Sequence, residues 1–313
     1  MHKTVLATAT ALATFYSASA TAETLTFMTG PTGGSWYPLA GAMKSIFEKA
    51  DPDLSFQIRP GTGLVNLRAV QTGKGDLGFG SIVVTVDAIL GNGTFEEKHD
   101  KICNIGSMYS NYIQNVTTDK SIETLEDIKG KRLTTMPRGT QTESITRTTL
   151  EAVGLSYDDM QKVDFISITD SVNMLKDGQS EVFMTYTAVP SGSMIDLTNA
   201  RDVKFLPISD EESEAMRAIN PGWSRMTIPQ GAYPGVDEDV PTVGSPMHFF
   251  VNCDTVSEET AYTITKALAE NVTELGHVNA ELKEWTVEKL AFESDVPFHP
   301  GAEKYYEEVG ALD

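Results

Sequence analysis

The hydrophobic positions of this chain fall into a repeating unit. A short apolar run is followed by a turn rich in Gly, Thr, Ser and Pro, and then by a segment with apolar residues at helical spacing. Leu25-Thr26-Phe27-Met28 leads into a glycine-rich turn at 29–35, after which Trp36, Leu39, Ala40, Met43, Ile46 and Phe47 share one helical face. Phe56-Gln57-Ile58 leads into Pro60-Gly61-Thr62-Gly63 and a short helix carrying Leu64, Leu67 and Val70, stopped by Gly73. Leu77-Gly78-Phe79 runs into Gly80-Ser81. The unit returns at Arg132-Leu133-Thr134-Thr135, whose helix carries Ile145, Thr149, Leu150 and Val153 and ends at Gly154. It recurs at 164–168 and 181–186, and 203–206 reads as one more strand.

Strands alternating with helices predict βα units and a mostly parallel sheet. The units form two clusters, at about 24–110 and 130–207, with an extended run at 109–118 between them. A second extended run at 243–252 precedes a long helix predicted from Ser257 to about Gly276. The simplest architecture is two α/β domains joined by two crossing strands: domain I from 23–117 and 244–313, domain II from 118–243, and a cleft between them.

Length agrees, since 313 residues suffice for two domains of about 150 each. The balance of 24 basic against 44 acidic residues gives a net charge of −20 and excludes a binder of nucleic acid or anionic membrane, which needs a basic surface. Two cysteines rule out a disulfide-rich scaffold and a cysteine-ligated metal centre.

The first 22 residues stand apart. Lys3 precedes an apolar, small-residue run from Thr4 to Tyr16, and Ala18-Ser19-Ala20 and Ala20-Thr21-Ala22 offer small-x-small cleavage patterns. This reads as an export signal cut after Ala22, placing the mature chain in the periplasm. The run is too short and too rich in Thr and Ser for a membrane anchor. Export permits a disulfide between Cys103 and Cys253; two buried free thiols fit the sequence equally well.

In open α/β sheets ligands bind beyond the carboxyl ends of the strands, which here are the glycine-rich turns. Each turn opens a helix, whose unpaired N–H groups and dipole attract anions. Two lobes presenting such turns to one cleft would clamp a carboxylate. Gly34, Ser35, Thr62, Asn66, Ser81, Thr140, Gln141 and Thr142 supply backbone or neutral hydrogen-bonding groups, Arg138 a bidentate fork, and Trp36, Tyr37 and Tyr186 the walls. Taken singly, each has a plainer role as turn, cap, core or solvated surface; convergence across several turns carries the ligand reading. No catalytic constellation emerges: there is no nucleophile elbow, P-loop or His-Glu-x-x-His, and the Gly33-Gly34 turn lacks dinucleotide spacing. His299 and Glu303 have metal-ligand spacing, but Pro300-Gly301 between them fits a helix start better. No metal or cofactor is expected.

Together these segments resemble the solute-binding subunits of TRAP transporters, TAXI subfamily. The resemblance runs from about Leu25 to Gly310. It includes Thr29-Gly30-Pro31-Thr32-Gly33-Gly34-Ser35-Trp36-Tyr37-Pro38-Leu39, Asn66-Leu67-Arg68, Gly75-Asp76-Leu77-Gly78-Phe79, Ile128-Lys129-Gly130-Lys131-Arg132, Gly139-Thr140-Gln141-Thr142-Glu143 and the 297–306 tail. It implies a two-lobed, type II-like periplasmic-binding-protein fold that closes on a small carboxylate, such as glutamate, glutamine or 2-oxoglutarate. It further implies a monomer that hands the solute to an ion-driven membrane permease, with no catalysis. Gln141 and Gly63 stand where the family often has Gly and Ser, Arg138 where a small residue or Pro is common, and the Asp frequent after Phe79 is missing. The shortage of acids in the turns favours a 2-oxo acid or dicarboxylate over an amino acid. An exported hydrolase or transferase on a similar scaffold, or a periplasmic ligand sensor, are the alternatives.

Overall fold

A computed structural model describes residues 23–30, 32 and 35–312; the expected export signal lies outside them, as does Gly34. The first βα series comprises β1 (Glu23–Met28), α1 (Trp36–Ala50), β2 (Leu54–Arg59), α2 (Gly63–Gln71), β3 (Leu77–Ser81) and α3 (Ile82–Leu90), and β4 (Ile102–Thr117) leaves it. The second comprises β5 (Arg132–Thr135), α4 (Gln141–Ala152), β6 (Lys162–Phe165), α5 (Ile168–Lys176), β7 (Val182–Thr187), α6 (Gly192–Ala200) and β8 (Lys204–Leu206). It is extended by α7 (Asp210–Ile219) and β9 (Ser224–Ile228). β10 (Val240–Asn252) returns to the first series, followed by α8 (Glu258–Asn271), 3-10 turns at Val272–His277 and Ala280–Glu284, α9 (Val287–Leu290) and α10 (Pro300–Glu308).

Among the described residues the strands form one sheet in the order β2-β1-β3-β10-β4-β7-β5-β6, with β8 on β4 and β9 on β10. Pairing within each series is parallel. The two long strands run antiparallel to each other and to the strands they meet. Each serves both series. β10 pairs with β3 through Met247–Val251 and with β9 through Val240–Gly244. β4 pairs with β10 up to Tyr112 and with β7 from Tyr112 onward. The switch falls at the partners Tyr112 and Gly244. A Cβ on Gly244 would lie 2.3 Å from the Asn111 carbonyl oxygen, so the crossing requires glycine.

The apolar stripe of α1 buries Leu39, Ala40, Met43 and Phe47 against β1–β3, α8 and α10. A separate cluster around Phe183, Met194, Leu197 and Phe205 underlies the second series. A third joins the two, bringing Leu67, Val83 and Val84 of the first together with Leu133, Ile145, Met216 and Trp223 of the second. The long helix expected to Gly276 ends as α8 at Asn271 and continues as a 3-10 turn. His299 is the N-cap of α10, its Nδ1 accepting the Gly301 N–H at 3.2 Å. Cys103 on β4 and Cys253, just after β10, form a disulfide with Cα atoms 5.3 Å apart.

Candidate functional site

The two series come together at the ends of their strands in two places, Gly63 beside Gln141 and Ser81 beside Tyr186. In the first series, the α1 start places Trp36 so that its Nε1 donates to the Tyr109 hydroxyl at 2.8 Å; Ser35 also reaches that hydroxyl. Tyr37 follows, half-buried. Thr62 caps α2, its hydroxyl accepting the Val65 N–H. In the second series, Thr140 caps α4, accepting the Glu143 N–H at 3.3 Å and donating to the Pro137 carbonyl at 2.7 Å. Thr142 lies half-buried in the next turn of backbone.

The two series meet at Gly63 and Gln141. A Cβ built on Gly63 would sit 3.0 Å from Gln141 Oε1, and 4.0 Å from both the edge of the Trp36 ring and Gly80 Cα. Gln141 therefore delivers an uncharged amide to the rim of the first series. This juxtaposition joins two positions that sequence treats as unrelated departures from the family pattern.

Asn66, Ser81 and Tyr186 are buried and hydrogen-bonded within the protein. Asn66 is fully buried, and its Nδ2 donates to the carbonyls of Thr29 and Phe79 at 3.1 and 2.9 Å. It ties the ends of β1 and β3 together, and its Oδ1, unpartnered among the described residues, faces Gly61. Ser81 is buried and its hydroxyl is 3.0 Å from that of Tyr186, which itself donates to the Ser245 carbonyl at 2.9 Å. Ser81 is therefore the donor to Tyr186, and the chain of bonds links β3, β7 and β10. Burial pushes the Tyr186 phenol well above its ordinary range, so it stays protonated. Arg138 is exposed, with its guanidinium stacked 3.9 Å from the Phe165 ring centre and 5.6 Å from that of Tyr157.

Several groups at the same place escape sequence reasoning. Tyr233 donates to Gln114 Oε1 at 2.8 Å and accepts the Ser191 N–H at 3.0 Å, so it occupies the first amide of the α6 turn. Gln114 in turn donates to the Thr187 and Ala188 carbonyls. Burial raises the phenols of Tyr109, Tyr112 and Tyr233, with a smaller upward push from the charge of Glu281 in the 3-10 turn at Ala280–Glu284. A cavity of about 240 Å³ between α3, α4 and α7 is a separate place, lined by Asp87, Arg147, Asn220 and Trp223.

The model of the NMT1-like family matches residues 27–310. The chain belongs to the NMT1-like family. Among solved structures, this NMT1-like chain is similar to PhnD1 from Prochlorococcus marinus in complex with methylphosphonate, with a TM-score of 0.53, 9% identity, and 92% of this chain and 99% of that one covered. It is also similar to the probable amino-acid ABC transporter extracellular-binding protein YtmK from Bacillus subtilis, with a TM-score of 0.49, 14% identity, and 83% and 97% covered. The periplasmic aliphatic sulphonate binding protein SsuA from Escherichia coli gives 0.48, 14%, and 92% and 88%. The NMT1-like chain thus has a mixed α/β fold like that of PhnD1, and mixed α/β is the class its sequence pattern predicts. At these identities the likeness speaks for the fold alone.

Proposed function

We propose that this chain is an extracytoplasmic solute-binding protein that closes two lobes, 23–117 with 244–313 and 118–243, around a small carboxylate. The observation that carries this reading is the meeting of Gln141 with Gly63 and Trp36, where helix starts from both series converge. Amides and hydroxyls at Ser35, Thr62, Thr140, Gln141 and Thr142 suit an anion without a full positive charge at every contact. The Cys103–Cys253 disulfide agrees with export, and no helix among the described residues is long and apolar enough to cross a membrane. Binding without turnover is the expected outcome, because the hydroxyl–imidazole pair nearest this region, Thr85 with His248, is fully buried.

For the transporter, the sequence resemblance favours an ion-driven TRAP-type permease of the TAXI kind. An ABC-type permease is the second reading, the kind of transporter in the name of the similar YtmK protein. Solute uptake that survives ATP depletion and collapses with the ion gradient decides for the first.

The binding reading is tested by native mass spectrometry of the purified chain for a co-purified acid, and by calorimetry with small carboxylates. Gly63→Val would drive a branched side chain into the Gln141 amide and should weaken binding at least tenfold, about 1.4 kcal/mol. Unchanged affinity in that variant would place the solute elsewhere.

A further inference from the structure

Asn220 ties the two series together at a point away from the turns. Pro221 follows it, so α7 stops here and Asn220 is left extended as the helix C-cap. Its side chain reaches out of the second series into the first. The residue is buried, and its Nδ2 donates to the Val83 carbonyl at 2.7 Å and to Asp87 Oδ1 at 2.8 Å. These two acceptors lie one turn apart on α3. Its Oδ1 accepts the Gly222 N–H at 2.8 Å, which fixes the amide in this orientation.

The backbone beside the amide is equally close to α3. A Cβ on Gly222 would lie 2.8 Å from Val83 Cα and 3.2 Å from Val83 N, so glycine lets this turn rest directly on the helix. Trp223 is buried next to it and stands edge-on to Tyr186, with ring centres 6.0 Å apart.

Among the described residues no other hydrogen bond joins α3 to the second series. The cavity of about 240 Å³ separates Asp87 of α3 from Arg147 and Glu151 of α4. Arg147 does not bridge it, since its guanidinium donates to Ser144 at 3.2 Å and faces Glu143 at 3.8 Å on its own helix. Apolar contacts do cross nearby, through Val83, Val84, Ile145, Met216 and Trp223. Hydrophobic burial has no direction, whereas hydrogen bonds do, and a bond to a carboxylate is among the stronger ones. The angle between the two series is therefore set along this edge by Asn220.

We propose that Asn220 is a latch between the lobes, whose two bonds to α3 hold the solute-free chain closed and must break for the lobes to part. This rests on the two-lobe reading above, which places α3 in one lobe and α7 in the other. Neither Asn220 nor Asp87 is among the residues assigned to the solute.

The test is small-angle X-ray scattering from the purified, solute-free chain, which reads lobe separation without a ligand. Asn220→Asp keeps the acceptor for the Gly222 N–H, removes both donors and sets a second carboxyl group against Asp87. Its radius of gyration should rise by about 1 Å over the roughly 19 Å of a compact chain of this length. Adding Asp87→Asn returns a donor to the pair and should bring the radius back, whereas a variant that merely damages the fold would be damaged further. Equal radii for the unaltered and Asn220→Asp chains overturn the latch, as does a double variant as expanded as the single one. An unaltered chain already expanded beyond this structure overturns it too. Should Asn220→Asp fail to fold, Asn220→Ala removes the same donors without the added charge, and an unchanged radius in it counts against the proposal. A calorimetric search that finds no carboxylate solute would remove the solute reading and leave these radii, and the latch, to stand or fall by themselves.

Discussion

Glu281 makes a prediction that needs no solute. Its carboxyl is raised from 4.5 to about 7 by burial, so the folded chain holds that proton more tightly than the unfolded one. Stability from this group is therefore complete below about pH 4.5 and is lost as pH rises through about 7. Burial raises the phenols of Tyr109, Tyr112 and Tyr233, which stay neutral across this window. Replacing the acid by a neutral isostere should raise the melting temperature of the solute-free chain at pH 8 and leave it unchanged at pH 4. A lower melting temperature for Glu281→Gln at pH 8 would mean that the carboxylate has a cationic partner in solution. His248 behaves in the opposite sense. Burial lowers it to about 3 while it bonds Thr85 and Asn104, so its stabilising effect is present above about pH 6.5 and fades in acid.

Among the elements, the strand–turn–helix units were legible because a buried face writes its period into the sequence: Leu39, Met43 and Phe47 of α1 lie under one stripe. α3 left no such signature. Ile82, Val83, Val84, Thr85, Val86 and Ala88 are all buried, so no polar face marks the turn of the helix, and β-branched residues favour the strand reading. α7 failed for the converse reason. Met216 is its one fully buried large apolar residue, and only the capping box of Ser209 with Glu212 announces it. The candidate site divides along the same line. Turn residues such as Thr140 and Gln141 can be found from local glycine and cap patterns, whereas Tyr109 meets Trp36, and Tyr233 meets Ser191 and Gln114, across long stretches of sequence, and nothing local advertises these contacts. Pairing of the two cysteines belongs to this class too, since proximity across 150 residues is a property of the β4–β10 register. Closing so long a loop restrains the unfolded chain, a contribution of about 2–5 kcal/mol. Reduction should accordingly lower the melting temperature by several degrees, and Cys103→Ser with Cys253→Ser should reproduce the loss. An unchanged transition after verified reduction would show that β-pairing alone sets the stability there.

At the scale of the whole molecule, the net charge of −20 opposes the approach of any anionic solute. Local groups must overcome that field at the cleft, where Thr62 and Thr140 offer hydroxyls and Gln141 an amide. An amino acid carries one positive charge more than its 2-oxo partner, so it meets a smaller opposing field. Salt separates the two cases, because mobile ions screen the distant surface charges, with a Debye length of about 8 Å at physiological strength, more than contacts inside the closed cleft. Association rates follow from stopped-flow fluorescence of Trp36, whose indole is bonded to Tyr109 at the site. Between about 20 mM and about 300 mM salt, the rate for a 2-oxo acid should rise as repulsion is screened, and the rate for its matched amino acid should rise less. Equal slopes would mean that the global charge does not reach the mouth of the cleft, and a steeper slope for the amino acid would contradict repulsion by the surface charge as the cause.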